Sequence, residues 1–129
     1  MTKMSERINK PISTAEMERR WSAVRDAMDA EGIDVSIVSL TSPNAFWGTE
    51  EVSVECAQIM NDDMSSAQSL YPDRIRFFAT IPWEYPERAV KELDRAIRLG
   101  AVGVMTLANI RGKFLNDPKF ETVWACLLY

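Results

Sequence analysis

The sequence predicts an α/β fold, because short apolar segments alternate with longer segments that carry apolar residues at helical spacing. Three segments are predicted as strands and four as helices, in the order α-β-α-β-α-β-α. Helices of this length between strands act as crossovers, so the strands are predicted to be parallel. The 129 residues suit one domain, whereas a complete eight-stranded barrel takes about 250 residues. We therefore expect part of a larger sheet or a barrel segment.

The first helix is predicted over residues 14–31. It opens with a capping box, in which a hydroxyl at Ser13 precedes a carboxylate at Glu16 by three residues, and Gly32 supplies a stop. Residues 1–12 are polar and are predicted to form an N-terminal arm. Residues 13–129 are predicted to form the folded part of the chain.

The first strand is predicted over Ile33–Leu40, which is mostly apolar, as in a strand buried on both faces. A second helix is predicted over residues 50–70 and a second strand over Ile75–Ile81. The residues expected to form the apolar stripe of this helix are Val52, Cys56, Ile59, Met60, Ala67 and Leu70.

The third helix is predicted to begin with Pro86 in its first turn and to stop at Gly100. A short apolar third strand follows at residues 101–106, and then a loop containing Asn and Gly. Asp117 and Pro118 are expected to open a last helix as N-cap and first-turn residue. The buried faces of these two helices are predicted to contain Ala89, Val90, Leu93, Ala96, Ile97, Phe120, Val123, Trp124 and Leu127.

The composition is ordinary for a soluble globular protein, with 47% hydrophobic and 26% charged residues. A net charge of −4 gives no reason to expect nucleic acid or anionic membranes as partners. The polar start lacks the apolar core of a secretory signal, and the apolar runs are too short to span a bilayer. Cys56 and Cys126 are too few and too far apart for a disulfide framework or a zinc motif, so buried thiols in a reducing cytoplasm are expected.

Three stretches together resemble the aminocarboxymuconate-semialdehyde decarboxylase family of the metal-dependent amidohydrolase superfamily. They are "GIDVSIVSLTSPNAFWG", "NDDMSSAQSLYPDRIRFFATIP" and "ERAVKELDRAIRLGAVGVMTLANIRGKFLNDPKFETVWA". The resemblance covers roughly residues 28–125 and rests on the order and spacing of several short motifs. It implies that residues 13–129 are a fragment of a TIM-like (β/α)₈ barrel. A weaker resemblance, over residues 12–34, is to the opening helix of creatinase-like and aminopeptidase-P-like proteins.

The resemblance also implies where a substrate would bind. Active sites of such barrels lie at the carboxyl ends of the strands, which here carry Thr41, Asn44, Trp47 and Asn109. These four residues are the candidate substrate-binding residues. An alternative interpretation is that they cap turns and that the aromatic ring packs on the barrel rim.

The resemblance further implies a parent enzyme that decarboxylates or hydrolyses small carboxylated or aromatic substrates with zinc or another divalent metal. The family holds its metal through histidines and an aspartate, yet this chain has no histidine. No catalytic residue and no metal ligand is therefore assigned in the chain, which is expected to be inactive alone. The acidic residues of the second helix could offer oxygen ligands, but a solvated helix face is the preferred interpretation; they are Glu50, Glu51, Glu55, Asp62 and Asp63.

A second hypothesis is a non-catalytic α/β module that associates through its open sheet edges. Three parallel strands leave two edges exposed, and exposed edges promote pairing with other chains. Arg74 and Arg76 lie at the amino end of the second strand, away from the predicted site. They are expected to form surface ion pairs with Asp73 or Glu84.

Overall fold

The structure is a computed structural model that describes residues 13–41, 44–45 and 48–128. It divides into two compact units, residues 1–34 and residues 35–129. The described residues of the first unit form a helix, and those of the second form a parallel sheet with further helices. Each unit is described by itself below.

Helix α1 (Thr14–Ala30) begins as predicted, because Ser13 Oγ accepts a hydrogen bond from the backbone N–H of Glu16 at 3.2 Å. The carboxylate of Glu16 also accepts hydrogen bonds from Arg19 at 2.7 Å and Arg20 at 2.8 Å. These bonds, chiefly the one from Arg19, lower the pKa of Glu16 to about 2. Gly32 follows the helix with φ +68°, a conformation that glycine adopts without strain.

The second unit is built on three parallel strands in the order β1 (Ser36–Val38), β2 (Ile75–Ala79) and β3 (Gly103–Val104). Ser36 pairs with Ile75, and Phe78 pairs with Gly103. The crossovers are α2 (Glu50–Leu70) and α3 (Pro86–Arg98). The second unit is therefore an α/β fragment whose three sheet strands are parallel, with a helix between consecutive strands.

The loop predicted after the third strand is in fact a small antiparallel hairpin, which the predicted order omits. Its strands are β4 (Asn109–Ile110) and β5 (Lys113–Phe114). The two-residue turn has φ +47° at Arg111 and +79° at Gly112. Two consecutive left-handed residues suit the right-handed twist of a tight hairpin, and glycine at the second position makes this turn accessible.

The chain ends in a short 3₁₀ turn (Pro118–Phe120) followed by α4 (Glu121–Leu128). Asp117 caps the turn as predicted, since its carboxylate accepts from the N–H of Lys119 at 2.9 Å. It also accepts from Lys113 Nζ at 2.7 Å. The hydrogen bond from Lys113 is the largest cause of the lowered pKa of Asp117, and the bond from Lys119 adds to it.

The first strand differs from its prediction in length and burial. It has three residues rather than eight, and the side chain of Ile37 is 49% exposed. The reason is its position, because β1 lies at an edge of the sheet and pairs with β2 alone among the described strands. Apolar composition favours a strand buried on both faces, but sequence alone does not distinguish such a strand from an apolar edge strand.

Helix α2 has the predicted bounds but buries a different face. Val52, Ile59 and Leu70 of the predicted stripe are exposed. The fully buried residues are Ser53, Ala57 and Asn61, spaced four apart and offset from that stripe. Small side chains allow α2 to approach the sheet closely, so the polar face of this helix is the one that packs.

The main core lies between β2, α3 and the carboxyl-terminal segment. Its buried members are Ala79, Ile81, Trp83, Ala89, Leu93, Ala96, Ile110, Phe120 and Val123. This confirms the apolar faces predicted for α3 and the last helix, except that Ile97 is 53% exposed. Cys56 and Cys126 are free and only half-buried rather than fully buried.

A buried polar network joins α2, β2 and α3. Asn61 Nδ2 donates to the carbonyl of Thr80 at 2.8 Å, and the N–H of Thr80 donates back to Asn61 Oδ1 at 2.8 Å. Asn61 Nδ2 also donates to Glu92 Oε1 at 2.7 Å, and Arg95 holds the same carboxylate at 2.8 Å. This contact is the main cause of the raised pKa of Arg95. Asn61 thus satisfies the backbone of the residue that directly follows β2.

Replacing Asn61 by alanine is expected to lower the free energy of unfolding by about 2–5 kcal/mol, because the buried N–H and C=O of Thr80 lose their partners. Chemical denaturation followed by circular dichroism measures the change. Gln58→Ala, at an exposed position of the same helix, is the matched control and should cost less than about 0.5 kcal/mol. Equal losses for both variants would contradict the role assigned to Asn61.

Replacing Gly103 by alanine is expected to destabilise the fold by about 1–3 kcal/mol, because the new methyl group would overpack β2. A Cβ at this position would lie 2.9 Å from two ring carbons of Phe78. In Phe78→Leu the ring is absent, so thermal unfolding of the double variant should show less loss than the sum of the single variants. Simple additivity would show that the ring is not the obstacle.

Candidate functional site

The carboxyl ends of the three parallel strands lie at one edge of the sheet. Residues 39–49 follow β1, residues 80–85 follow β2, and residues 105–112 follow β3. Sites in α/β sheets and barrels are built from such segments, because the strands are rigid and the loops are free to carry functional side chains. This edge is called the carboxyl edge below.

The structure describes three of the four predicted substrate-binding residues. Asn44 Nδ2 donates to the carbonyl of Thr41 at 2.9 Å, which closes a turn after β1. Asn109 Oδ1 accepts from the N–H of Gly112 at 3.2 Å, which closes the hairpin turn. Trp47 lies outside the described residues. Both asparagines thus make the turn-capping bonds of the alternative interpretation, and their role in binding stays a prediction.

The predicted residues do not form one continuous group. Thr41 and Asn44 follow β1, whereas Asn109 follows β3, and β2 lies between these two strands. Thr41 and Asn109 are exposed and Asn44 is half-buried. The space above β2 is therefore the part of the carboxyl edge that would connect them.

An ion pair that sequence reasoning missed occupies this part of the edge. Arg111, in the turn between β4 and β5, contacts the carboxylate of Glu84 through its Nε, and the Glu84 side chain is only 11% exposed. The second carboxylate oxygen, Oε2, is buried and has no hydrogen-bond partner in the structure. The pair therefore joins the exits of β2 and β3.

The expected ion pair of Arg76 with Glu84 is wrong, since Glu84 contacts Arg111. The expected pairing of Arg74 and Arg76 with Asp73 stays a prediction. Arg76 instead donates to the backbone carbonyls of Ile75, at 2.9 Å, and of Pro72. These carbonyls lie at the amino end of β2, whereas Glu84 lies beyond its carboxyl end. The only sequence signal for the true pair is the Arg-Gly dipeptide, which marks a tight hairpin turn.

Trp83 fixes the base of the carboxyl edge. It follows β2 and is fully buried. Its Nε1 donates to the carbonyl of Met105, the residue directly after β3, at 3.1 Å. Its ring packs edge-on against Phe120, with centroids 5.9 Å apart, and tilted against Trp124 at 5.4 Å. Glu84 therefore directly follows a tryptophan whose side chain is held by a hydrogen bond and by two aromatic contacts.

The described residues do not fit the metal that the family resemblance implies. The chain has no histidine, and within residues 13–41, 44–45 and 48–128 no three His, Cys, Asp or Glu side chains are grouped to hold an ion. Two of the five acids of α2 are instead paired with α3, since Arg95 contacts Asp62 and Arg88 contacts Glu50, each at 2.6 Å. This supports the solvated-face interpretation.

Within residues 13–41, 44–45 and 48–128, no helix has the length and apolar character needed to cross a bilayer.

Comparison with curated proteins gives decarboxylases. The chain is 30% identical over 100 residues to the 2-amino-3-carboxymuconate-6-semialdehyde decarboxylase of Dictyostelium discoideum, covering 75% of this chain and 28% of that protein. It is 32% identical over 96 residues to the gamma-resorcylate decarboxylase of Rhizobium radiobacter, covering 70% and 29%. The chain therefore spans less than a third of the length of these relatives. No protein-family model matches it.

A solved structure agrees with these relatives. The 5-carboxyvanillate decarboxylase of Novosphingobium aromaticivorans, complexed with manganese and 4-hydroxy-3-methoxy-5-nitrobenzoic acid, superposes with a TM-score of 0.74 at 32% identity. The match covers 80% of this chain and 30% of that one. The creatinase-like resemblance of residues 12–34 stays a prediction. The chain belongs to the aminocarboxymuconate-semialdehyde decarboxylase-like family of the amidohydrolase superfamily.

Proposed function

We propose that this chain supplies consecutive β/α units of a (β/α)₈ barrel that decarboxylates carboxylated aromatic substrates. The observation that carries the proposal is the 32% identity and 0.74 TM-score to a decarboxylase structure that holds a nitrobenzoic acid ligand. The parallel strands of the second unit support it, since their carboxyl ends form a common edge as barrel sites require. Under this proposal the carboxyl edge contacts the substrate.

The metal chemistry of the proposed reaction belongs to residues outside this chain. Related structures contain manganese, in one case with 2-nitroresorcinol as inhibitor. The described residues offer no matching ligand set, and histidine is absent from the sequence. We therefore propose that the chain binds and orients substrate and that it does not turn over substrate by itself. Thr41, Asn44, Trp47 and Asn109 are the proposed contacts.

A non-catalytic module that associates through its sheet edges is the second candidate function. In the described sheet, β1 and β3 each pair with β2 alone. Apolar side chains beside these edges are exposed, 49% for Ile37 and 52% for Val102. Unpaired strand edges with apolar side chains favour pairing with a second chain.

The first prediction of the proposal is binding without turnover. Two-dimensional NMR of the chain titrated with 2,6-dihydroxybenzoate, the ligand of a related decarboxylase, should shift amide signals of residues 83–85 and 107–112. Amide signals at the opposite end of the sheet, from the non-proline residues of 71–74 and from residues 100–102, serve as the internal control and should stay in place. Carbon dioxide release should not exceed the uncatalysed rate after Mn²⁺ is added.

Two results would contradict this proposal. Turnover by the chain with Mn²⁺ would show that it holds a complete catalytic site. Shifts confined to residues 71–74 and 100–102 would place binding at the wrong end of the strands. The first result would overturn the proposal that the chain does not turn over substrate by itself, and the second would overturn the carboxyl edge as the binding site.

The second candidate function predicts association that depends on β1. Light scattering at increasing concentration should show a rising mass, and Ile37→Lys should reduce it by placing a charge beside the edge. Ile97→Lys is the matched control, because Ile97 is similarly exposed, at 53%, but lies on α3. A constant monomer mass for the unmodified chain would count against this function.

A further inference from the structure

We propose that the hairpin β4–β5 is a strap that opens as a local unit, and that the ion pair of Arg111 with Glu84 is the latch that keeps it closed. The closed state is the one that the structure shows, with Arg111 against Glu84. In the open state this pair is broken and the hairpin leaves the carboxyl edge, while the parallel sheet stays folded. The inference goes beyond the proposed function, since it concerns a conformational change that needs no ligand.

The hairpin has little stability of its own. Each of its strands has two residues, and among the described strands β4 and β5 pair only with each other. An isolated two-stranded hairpin is at best marginally stable in water. Both residues of β5 are exposed, and Phe114 is 72% exposed. The hairpin therefore depends on contacts with the rest of the second unit.

The side-chain contacts of the hairpin differ in what they connect. Ile110 is buried in the main core. Lys113 Nζ contacts Asp117 at 2.7 Å, but these residues are only four apart, so this pair fastens the hairpin to the segment that directly follows it. Arg111 instead contacts Glu84, which lies beyond the end of β2. The turn of the hairpin is thus tied by this pair to the exit of the central strand.

The position of Glu84 favours the closed state. Its side chain is only 11% exposed, and its Oε2 is buried without a hydrogen-bond partner. Removing the partner of a buried charge is far more costly than removing the partner of an exposed one. Opening leaves the Glu84 carboxylate without Arg111, so the pair acts as a latch rather than as an incidental surface contact.

The backbone of Arg111 points in the same direction. A φ of +47° is uncommon for a residue with a side chain, and Asn, Asp or Gly is the usual choice at this turn position. Residues in such conformations persist only where the surroundings hold them, and they are frequent in ligand clamps and switch regions. Breaking the contact with Glu84 allows Arg111 to leave this conformation, which assists opening.

Opening changes the carboxyl edge in two ways. Asn109, one of the proposed substrate contacts, lies in β4 and moves with the hairpin. Ile110 leaves the core that it shares with Trp83 and Phe120, so the base of the edge becomes accessible. The strap therefore controls access to the buried residues at the exit of β2.

Native-state hydrogen exchange of the full chain, followed by NMR at increasing but subdenaturing urea concentrations, tests the opening. A local opening exposes little surface, so the exchange rates of the amides involved change little with denaturant. Amides of residues 110–114 should behave in this way, whereas those of β2 should exchange through global unfolding and depend steeply on urea. An equally steep dependence in both segments would overturn the proposal.

Arg111→Met tests the latch. It should speed exchange at residues 110–114 about tenfold, the effect of losing one hydrogen bond to a charged group, and leave β2 unchanged. Arg111→Lys, which keeps the charge, should restore part of the protection. Arg98→Met is the matched control, because it breaks an exposed ion pair with Asp94, at 2.5 Å within α3, and should leave the hairpin unaffected.

Unchanged exchange at residues 110–114 in Arg111→Met would show that the pair is no latch. An equal acceleration in β2, or a variant that does not fold, would show that the pair supports the whole second unit rather than the closed state of the hairpin. Both results would overturn the assignment.

Discussion

The second unit depends on the two hydrogen bonds between the side chain of Asn61 and the backbone of Thr80. Thr80 directly follows β2. The Asn61 amide gives the backbone of Thr80 the donor and the acceptor that a neighbouring strand would otherwise give it. Its third bond, to the buried carboxylate of Glu92, connects the same point to α3. A single side chain therefore positions both crossover helices relative to the central strand.

This constraint determines the geometry of the carboxyl edge. With Thr80 fixed, the next residues enter the core, where Trp83 bonds to the exit of β3 and contacts two aromatic rings. Glu84 then emerges beside the hairpin and meets Arg111. The site is thus built by rigid contacts below it, and only its outermost side chains belong to loops.

The sequence predicted the helices well because their signals are local. Caps at Ser13 and Asp117 and the bounds of α2 agree with the structure, and the apolar face of α3 is largely confirmed. The predictions that failed concern tertiary context. Helix α2 buries Ser53, Ala57 and Asn61 and exposes three of the six residues of its predicted apolar stripe, which hydrophobic periodicity cannot reveal.

The candidate site was predictable to the same extent. Family motifs located the strand ends, and hence Thr41, Asn44 and Asn109. They did not indicate the ion pair of Glu84 with Arg111. The two residues are separated by 26 others and lie at loop and turn positions that no periodic pattern connects. The comparison also separates two parts of a barrel enzyme. Strand ends and metal ligands are independent features of a barrel sequence, and the residues that the structure describes include such strand ends but no grouped set of metal-ligating side chains. The proposed substrate contacts can therefore be tested by substitutions that leave no described metal-ligand cluster altered.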